Sequence, residues 1–375
     1  MPRATGGADE GLLRVLMDDG SADPATDPHL PKERCLELYR GMLFLREFDR
    51  KMLGLQRQGR IAFYGAALGQ EAAIVGSAAC AGPEDWVFPA LREGGAALLR
   101  GMPLSTYIGQ LYGNSADESL GHQQPMHFSW RAGNHVSLSS PIGTQIPQAV
   151  GCAMAIRLRG ERRAVLAYMG DGATSEGDFH VGMNFAGVFK SPVVLVCQNN
   201  GWAISVPVSA QTASRTIAMK ARAYGFPGIR VDGNDLLAVF SATGAAMEKA
   251  RSGGGPTFLE LVTYRRLGHS SSDDPSRYRD AAEVAEWERK DPLERFRAHL
   301  EKKRLWNEKH EKAALAEFAD RIAAAVKEAE AAAEPPLESL VEHVYAEVPR
   351  GLRDQLDAVR PSFEKGGRAE GAFPL

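Results

Sequence analysis

Residues 165–205 read VLAYMGDGATSEGDFHVGMNFAGVFKSPVVLVCQNNGWAIS. Two short apolar runs, the first closing at Gly170 and the second at Gln198, flank a segment whose apolar residues are spaced for a helix. A run of four to eight apolar residues bounded by turn residues marks a strand buried on both faces, and a helix between two such strands makes a parallel crossover. Asp171 then leaves the carboxyl end of the first strand in a tight turn, Gly170-Asp171-Gly172, and the second strand delivers Asn199 and Asn200 at its own carboxyl end. If the strands are neighbours, Asp171 and Asn200 face one another across the crevice where folds of this kind keep their ligands.

The alternation continues on either side. Upstream lie a strand-like DWVFPA (85–90) and a helical TQIPQAVGCAMAIRLRG (144–160). Downstream come helical TIAMKARAYG (216–225), strand GIRVDG (228–233), helix DLLAVFSATGAAMEKAR (235–251) and strand TFLELVTY (257–264). Helix and apolar strand taking turns predict an α/β fold, a doubly wound and mainly parallel sheet. Three segments divide the chain: an extended N-terminal arm (1–31), the α/β domain (32–280) and a C-terminal helical region (281–375) of two or three charged helices. An Ala/Glu/Lys-rich stretch near 312–334 reads as an exposed helix. Three polar connections, about 114–136, 201–214 and 265–280, are long for connectors and are candidates to carry chemistry.

Composition narrows the classes. The 375 residues carry a formal charge of −3 and only short basic pairs such as Arg162-Arg163 and Arg265-Arg266, so no nucleic-acid partner is expected. No run of about twenty apolar residues is present, so no membrane span is expected. The start, MPRATGGADEG, has no apolar signal core and carries acids, and Cys35, Cys80, Cys152 and Cys197 form no CxxC pair. Reduced thiols in a cytoplasmic protein are the expectation.

The glycine turn can bring backbone close to a ligand, and the helix starting near Ser175-Glu176 turns its free N–H groups to the same place. A carboxylate, an amide oxygen and a main-chain carbonyl are hard ligands that suit magnesium, which shares its shell with phosphate oxygens. The bland alternative is a pair of ordinary turns. The dinucleotide fingerprint fits less well, because Ser175 stands at the third glycine position, and no Gly-Lys-Ser/Thr phosphate loop is present.

The Gly-Asp-Gly to Asn-Asn spacing resembles the thiamine-diphosphate motif. With QRQGRIAFYGAALGQEAAIVGSAA, SSPIGTQIPQAVG, IRVDGND and HSSSDDPSRYR in the same order, residues 20 to 350 are similar to the alpha subunit of 2-oxo acid dehydrogenases, nearest in type to the branched-chain one. The resemblance implies the thiamine-diphosphate-binding fold and oxidative decarboxylation of a branched-chain 2-oxo acid, with the acyl unit passed to a lipoyl group. It implies a beta subunit in a two-alpha, two-beta assembly and a lipoyl-bearing acyltransferase core as partners. Pyruvate as substrate and a non-catalytic paralogue are the alternatives.

Residue by residue, the resemblance assigns magnesium to Asp171, Asn200 and the carbonyl of Trp202, and the diphosphate to Arg92, Gly172 and Ala173. Ser140 and Ile142 match positions beside the cofactor rings, and Phe63 matches a wall of the acyl pocket, with Ser140 also toward substrate. Ser139, Pro141, Thr144 and Gln145 match a potassium site, or else are a helix N-terminus with Ser/Thr caps. His269 matches the active-site histidine, catalytic and beside the diphosphate. His122, His127 and His135 fit no zinc spacing and are read as structural. Two cofactor-side positions depart from the family pattern: Leu91 stands where a tyrosine is common, and Gln198 where branched-chain relatives can carry arginine.

Overall fold

The computed structural model describes residues 11–364; the first ten residues of the expected arm and the last eleven of the C-terminal region lie outside the described residues. Six strands form one wholly parallel sheet: β1 (Leu12–Leu13), β2 (Trp86–Phe88), β3 (Val165–Gly170), β4 (Val193–Asn199), β7 (Gly228–Asp232) and β8 (Thr257–Val262). Their order is β1-β7-β8-β4-β3-β2, and β5 (Trp202–Ala203) pairs with β6 (Val206–Pro207) in a separate antiparallel hairpin.

The register explains the sequence pattern. Leu166 and Tyr168 of β3 face a core made with helices Lys32–Arg57, Glu71–Ala78 and Leu236–Arg251. Val165, Ala167 and Met169 face a second core made with helices Gln145–Leu158 and Gly177–Val188. Both faces of the strand are therefore covered, and its residues are apolar without alternation. A third cluster joins Phe48 and Met52 to Tyr107, Leu111, Ile322 and Val326. The helix Glu308–Ala331 thus has a buried face (Phe318, Ile322, Val326), so the Ala/Glu/Lys-rich stretch is a helix packed on one side rather than an exposed one.

Three further details differ from the expected elements. The stretch expected as a helix over 216–225 is 3-10 over Ala218–Tyr224 and stops at Gly225, whose φ is +79°. Seven residues are too few for a self-supporting α-helix, and they lie so close to β7 that a Cβ on Gly228 would meet the Ala218 carbonyl at 2.0 Å. The turn after β3 is also 3-10, over Asp171–Ser175, and the α-helix begins at Gly177 rather than at Ser175-Glu176. After residue 280 the described chain holds helices Ala281–Glu288, Pro292–Lys302, Glu308–Ala331 and Arg350–Glu364, with a single turn at Ser339–Glu342. No helix among the described residues is long and apolar enough to cross a membrane.

Candidate active site

β3 and β4 are hydrogen-bonded neighbours with Gly170 opposite Gln198, so Asp171 and Asn200 leave adjacent strands at the same edge of the sheet. There they enter a cavity of about 400 Å³. Its wall also takes Arg92 from the segment after β2 and Arg265 from the segment after β8. All three long polar connections reach it: the first through Gln124 and His127, the second through Trp202 and Ile204, the third through Arg265 and His269.

Of the residues singled out in the sequence, Phe63, Leu91, Arg92, Ser139, Ser140, Ile142, Gln145, Asp171, Gly172, Ala173, Gln198, Asn200, Trp202 and His269 line this one cavity. Pro141 and Thr144 do not; the Thr144 hydroxyl lies 2.7 Å from Ser139 Oγ and 3.0 Å from the Pro141 carbonyl. The helix that starts at Gln145 has no side-chain cap, so this hydroxyl is not engaged in capping. Gln145 donates to the Tyr168 carbonyl at 3.0 Å, and its Oε1 is buried with no partner. The cluster therefore presents oxygen atoms, one of them unsatisfied.

The charges are unusually placed. Asp171 is 2% exposed, and burial raises its pKa although Gln211 donates to it at 2.8 Å. Arg92 is buried, yet its guanidinium donates to two neutral acceptors, the carbonyls of Ala66 and, at 2.7 Å, His269. Burial, then the nearby Arg265, lowers its pKa to about 10, so it stays cationic at neutral pH. Arg265 likewise donates to the carbonyls of Trp202 (3.1 Å) and Ile204 (2.6 Å) and to the Tyr278 hydroxyl (2.8 Å). Two buried guanidiniums held by neutral groups leave positive charge for an incoming anion to balance.

Glu93, next to Arg92, is also buried. It accepts from the Ala90 N–H at 2.8 Å and from the Gln198 side-chain amide, and burial pushes it up to about 7. Glutamine at 198 supplies no charge to offset that carboxylate, and its Oε1 has no partner. Leu91 contributes only apolar surface to the wall.

His269 sits on a loop held from several sides. Its own N–H donates to Asp273 at 2.6 Å, and Arg279 donates to the carbonyls of Arg265, Arg266 (2.8 Å) and Leu267 (3.2 Å). Burial, then the charges of Arg92 and Arg265, lower the imidazole to about 4, so it is neutral at physiological pH. His127 is the residue that sequence reasoning misplaced. It lines the cavity with Nε2 against the Ser140 hydroxyl, while Nδ1 lies 3.1 Å from the Pro125 carbonyl. The carbonyl can only accept, so Nδ1 carries a proton, and in the neutral ring Nε2 accepts from Ser140. Its position in a long polar connection was the one available signal. Arg265, noted in the sequence only as part of a short basic pair, had a comparable one: it comes directly after the apolar run TFLELVTY.

Among the described residues no cluster of three or more His, Cys, Asp or Glu can hold a metal. A cation at this site would instead take the mixed oxygen set of Asp171, Asn200 and the Trp202 carbonyl, and the buried Asp171 carboxylate fits that role.

Residues 39–338 match the family described as dehydrogenase E1 component. The chain is 42% identical over 358 residues to the alpha subunit of mitochondrial 2-oxoisovalerate dehydrogenase from Bos taurus, covering 95% of this chain and 79% of that protein. The Homo sapiens protein of the same name gives 42% over 95% of this chain and 80% of its own length. Subunit alpha 1 from Arabidopsis thaliana gives 41% over 91% and 73%. These relatives are mitochondrial by name, which overturns the cytoplasmic expectation. Widely spaced free cysteines suit any reducing compartment, and the composition of the first residues does not select one.

Proposed function

The chain belongs to the dehydrogenase E1 component family, and from that premise we propose that it is the alpha subunit of a branched-chain 2-oxo acid dehydrogenase. The enzyme decarboxylates the 2-oxo acid oxidatively and passes the acyl unit to a lipoyl group on an acyltransferase core. The observation that carries this reading is one cavity holding a buried carboxylate at one place and two guanidiniums with neutral partners at another. That charge pattern is complementary to a metal diphosphate.

Thiamine diphosphate, when bound, supplies the electron sink for loss of carbon dioxide. Magnesium would be held by Asp171, Asn200 and the Trp202 carbonyl. Arg92 and the N–H groups of Gly172 and Ala173 would hold the diphosphate, with Arg265, which donates to the Trp202 carbonyl oxygen, adding positive charge nearby. Phe63, Ser140 and Ile142 line the same cavity; Ser140 and Ile142 would border the cofactor rings, and Phe63 would offer an aromatic wall to a branched apolar side chain. Potassium would sit among Ser139, Pro141, Thr144 and Gln145, where the unpartnered Gln145 oxygen supports a cation. Neutral His269 can take up a proton at a ring nitrogen as charge develops on the acyl group. His127 fixes the direction of the Ser140 hydroxyl toward its own Nε2.

The relatives are named as alpha subunits, and the described residues build one parallel sheet. The group that protonates the pyrimidine ring would come from a beta subunit. Calorimetry on the assembled alpha–beta protein tests the clamp. Asp171→Ala should abolish magnesium-dependent binding of thiamine diphosphate, and unchanged affinity in that variant would refute the assignment.

A further inference from the structure

Gln211 closes the short helix Val208–Gln211 in the connection that follows Asn199-Asn200. Its amide nitrogen donates to Asp171 Oδ2 at 2.8 Å and to the Val206 carbonyl at 3.0 Å. Both partners only accept, so the amide has one allowed orientation; turned over, its oxygen would face a carboxylate and a carbonyl. The same connection is tied to the turn after β3 a second time, where Ser175 Oγ donates to the Gln211 carbonyl at 3.4 Å. The fit is close. A Cβ on Gly172 would meet Ala203 Cβ at 2.7 Å and come within 3.8 Å of Gln211 Oε1. That oxygen is buried and has no partner.

We infer that Gln211 is a positioning residue for the cation end of this site: its amide sets the plane of the Asp171 carboxylate and fixes the connection that presents the Trp202 carbonyl. The inference rests on reading the cavity as a magnesium diphosphate site. The three protein oxygens expected on the cation come from two segments, Asp171 after β3 and Asn200 and Trp202 after β4. The Gln211 side chain spans both segments, because it bonds Asp171 directly and closes its own connection on Val206. Groups that orient a metal ligand from behind in this way are worth roughly 10–100-fold in metal affinity. The unpartnered Oε1 beside Gly172 is an acceptor that a water of the cation's shell can satisfy.

The test uses the assembled alpha–beta protein, with thiamine diphosphate binding followed by tryptophan fluorescence while magnesium is titrated. Gln211→Met keeps the bulk and removes the amide. It should raise the magnesium midpoint about tenfold or more. At saturating magnesium the cofactor should bind nearly as in wild type, and the cofactor-free protein should melt as wild type does. Ser175→Ala cuts the other tie of the same connection without touching the carboxylate and should leave the magnesium midpoint unchanged. An unchanged midpoint in Gln211→Met, beside a magnesium-dependent wild type, overturns the inference. So does a midpoint raised equally by Ser175→Ala, which would mean that loop packing alone is responsible. If wild type itself binds the cofactor without magnesium, the reading of the cavity fails and this inference goes with it.

Discussion

Replacing Glu93 by glutamine should change how stability depends on pH, by an amount the structure sets. Burial lifts this carboxyl from its ordinary 4.5 to about 7. At about 1.4 kcal/mol per pH unit, its charged form is penalised by roughly 3 kcal/mol. Below pH 4.5 the folded and unfolded chains both keep the proton, and the contribution is fully present. Between 4.5 and 7 the unfolded chain releases it while the folded one does not, so stability is lost as pH rises through that window. Glutamine removes this titration and can still be satisfied in place. Its oxygen accepts from Ala90, and its amide donates to the now unpartnered Gln198 Oε1 once that side chain turns over. Urea unfolding of both proteins at pH 5 and pH 7.5, at one protein concentration, measures the difference. The variant's stability relative to wild type should grow by about 2.4 kcal/mol between the two, since part of the penalty is already felt at pH 5. Other groups cancel in the subtraction, including Asp49, which burial also lifts to about 7. Parallel pH profiles for the two proteins would refute the reasoning. The result bears on the site, because a neutral Glu93 leaves the adjacent Arg92 free to balance an anion.

Three other expectations concern the cavity wall. Leu91→Tyr should tighten thiamine diphosphate binding by about 0.5–1.5 kcal/mol, one regained hydrogen bond, and an equal or weaker dissociation constant by calorimetry would show that the wall is built differently. His269→Ala should slow acylation of the lipoyl group by about a hundredfold with little change in melting temperature, and the reverse pattern would make the residue structural. An anion beside His269 raises a pKa that starts near 4, so cofactor binding at pH 6 should take up protons. Calorimetry in two buffers of different ionisation enthalpy should show more uptake in wild type than in His269→Ala; equal uptake would exclude His269 as the acceptor.

The sheet was legible because its central strands are buried on both faces and read as unbroken apolar runs ended by turn residues, as at Val165–Gly170 and Val193–Asn199. The helix Glu71–Ala78 was not, since all eight of its residues are buried and it has no polar side to reveal a period. β1 escaped notice for a different reason: two leucines joining an edge leave no pattern to count. In the site, Asp171 and Asn200 stood out because each closes a strand. Gln211 and Glu93 did not, because their roles depend on contacts 40 and 105 residues away, which no local spacing encodes. His127 was readable as a loop residue, but its bond to Ser140 exists only in the folded chain.

We propose that this chain carries one half of a decarboxylating site and depends on a beta subunit for the other. Decarboxylation of 3-methyl-2-oxobutanoate with an artificial electron acceptor, magnesium and thiamine diphosphate tests it directly. The purified chain alone should show no turnover, and adding the beta chain should restore activity in proportion to the alpha–beta assembly formed. Comparable turnover by the chain alone would mean that it carries a complete site.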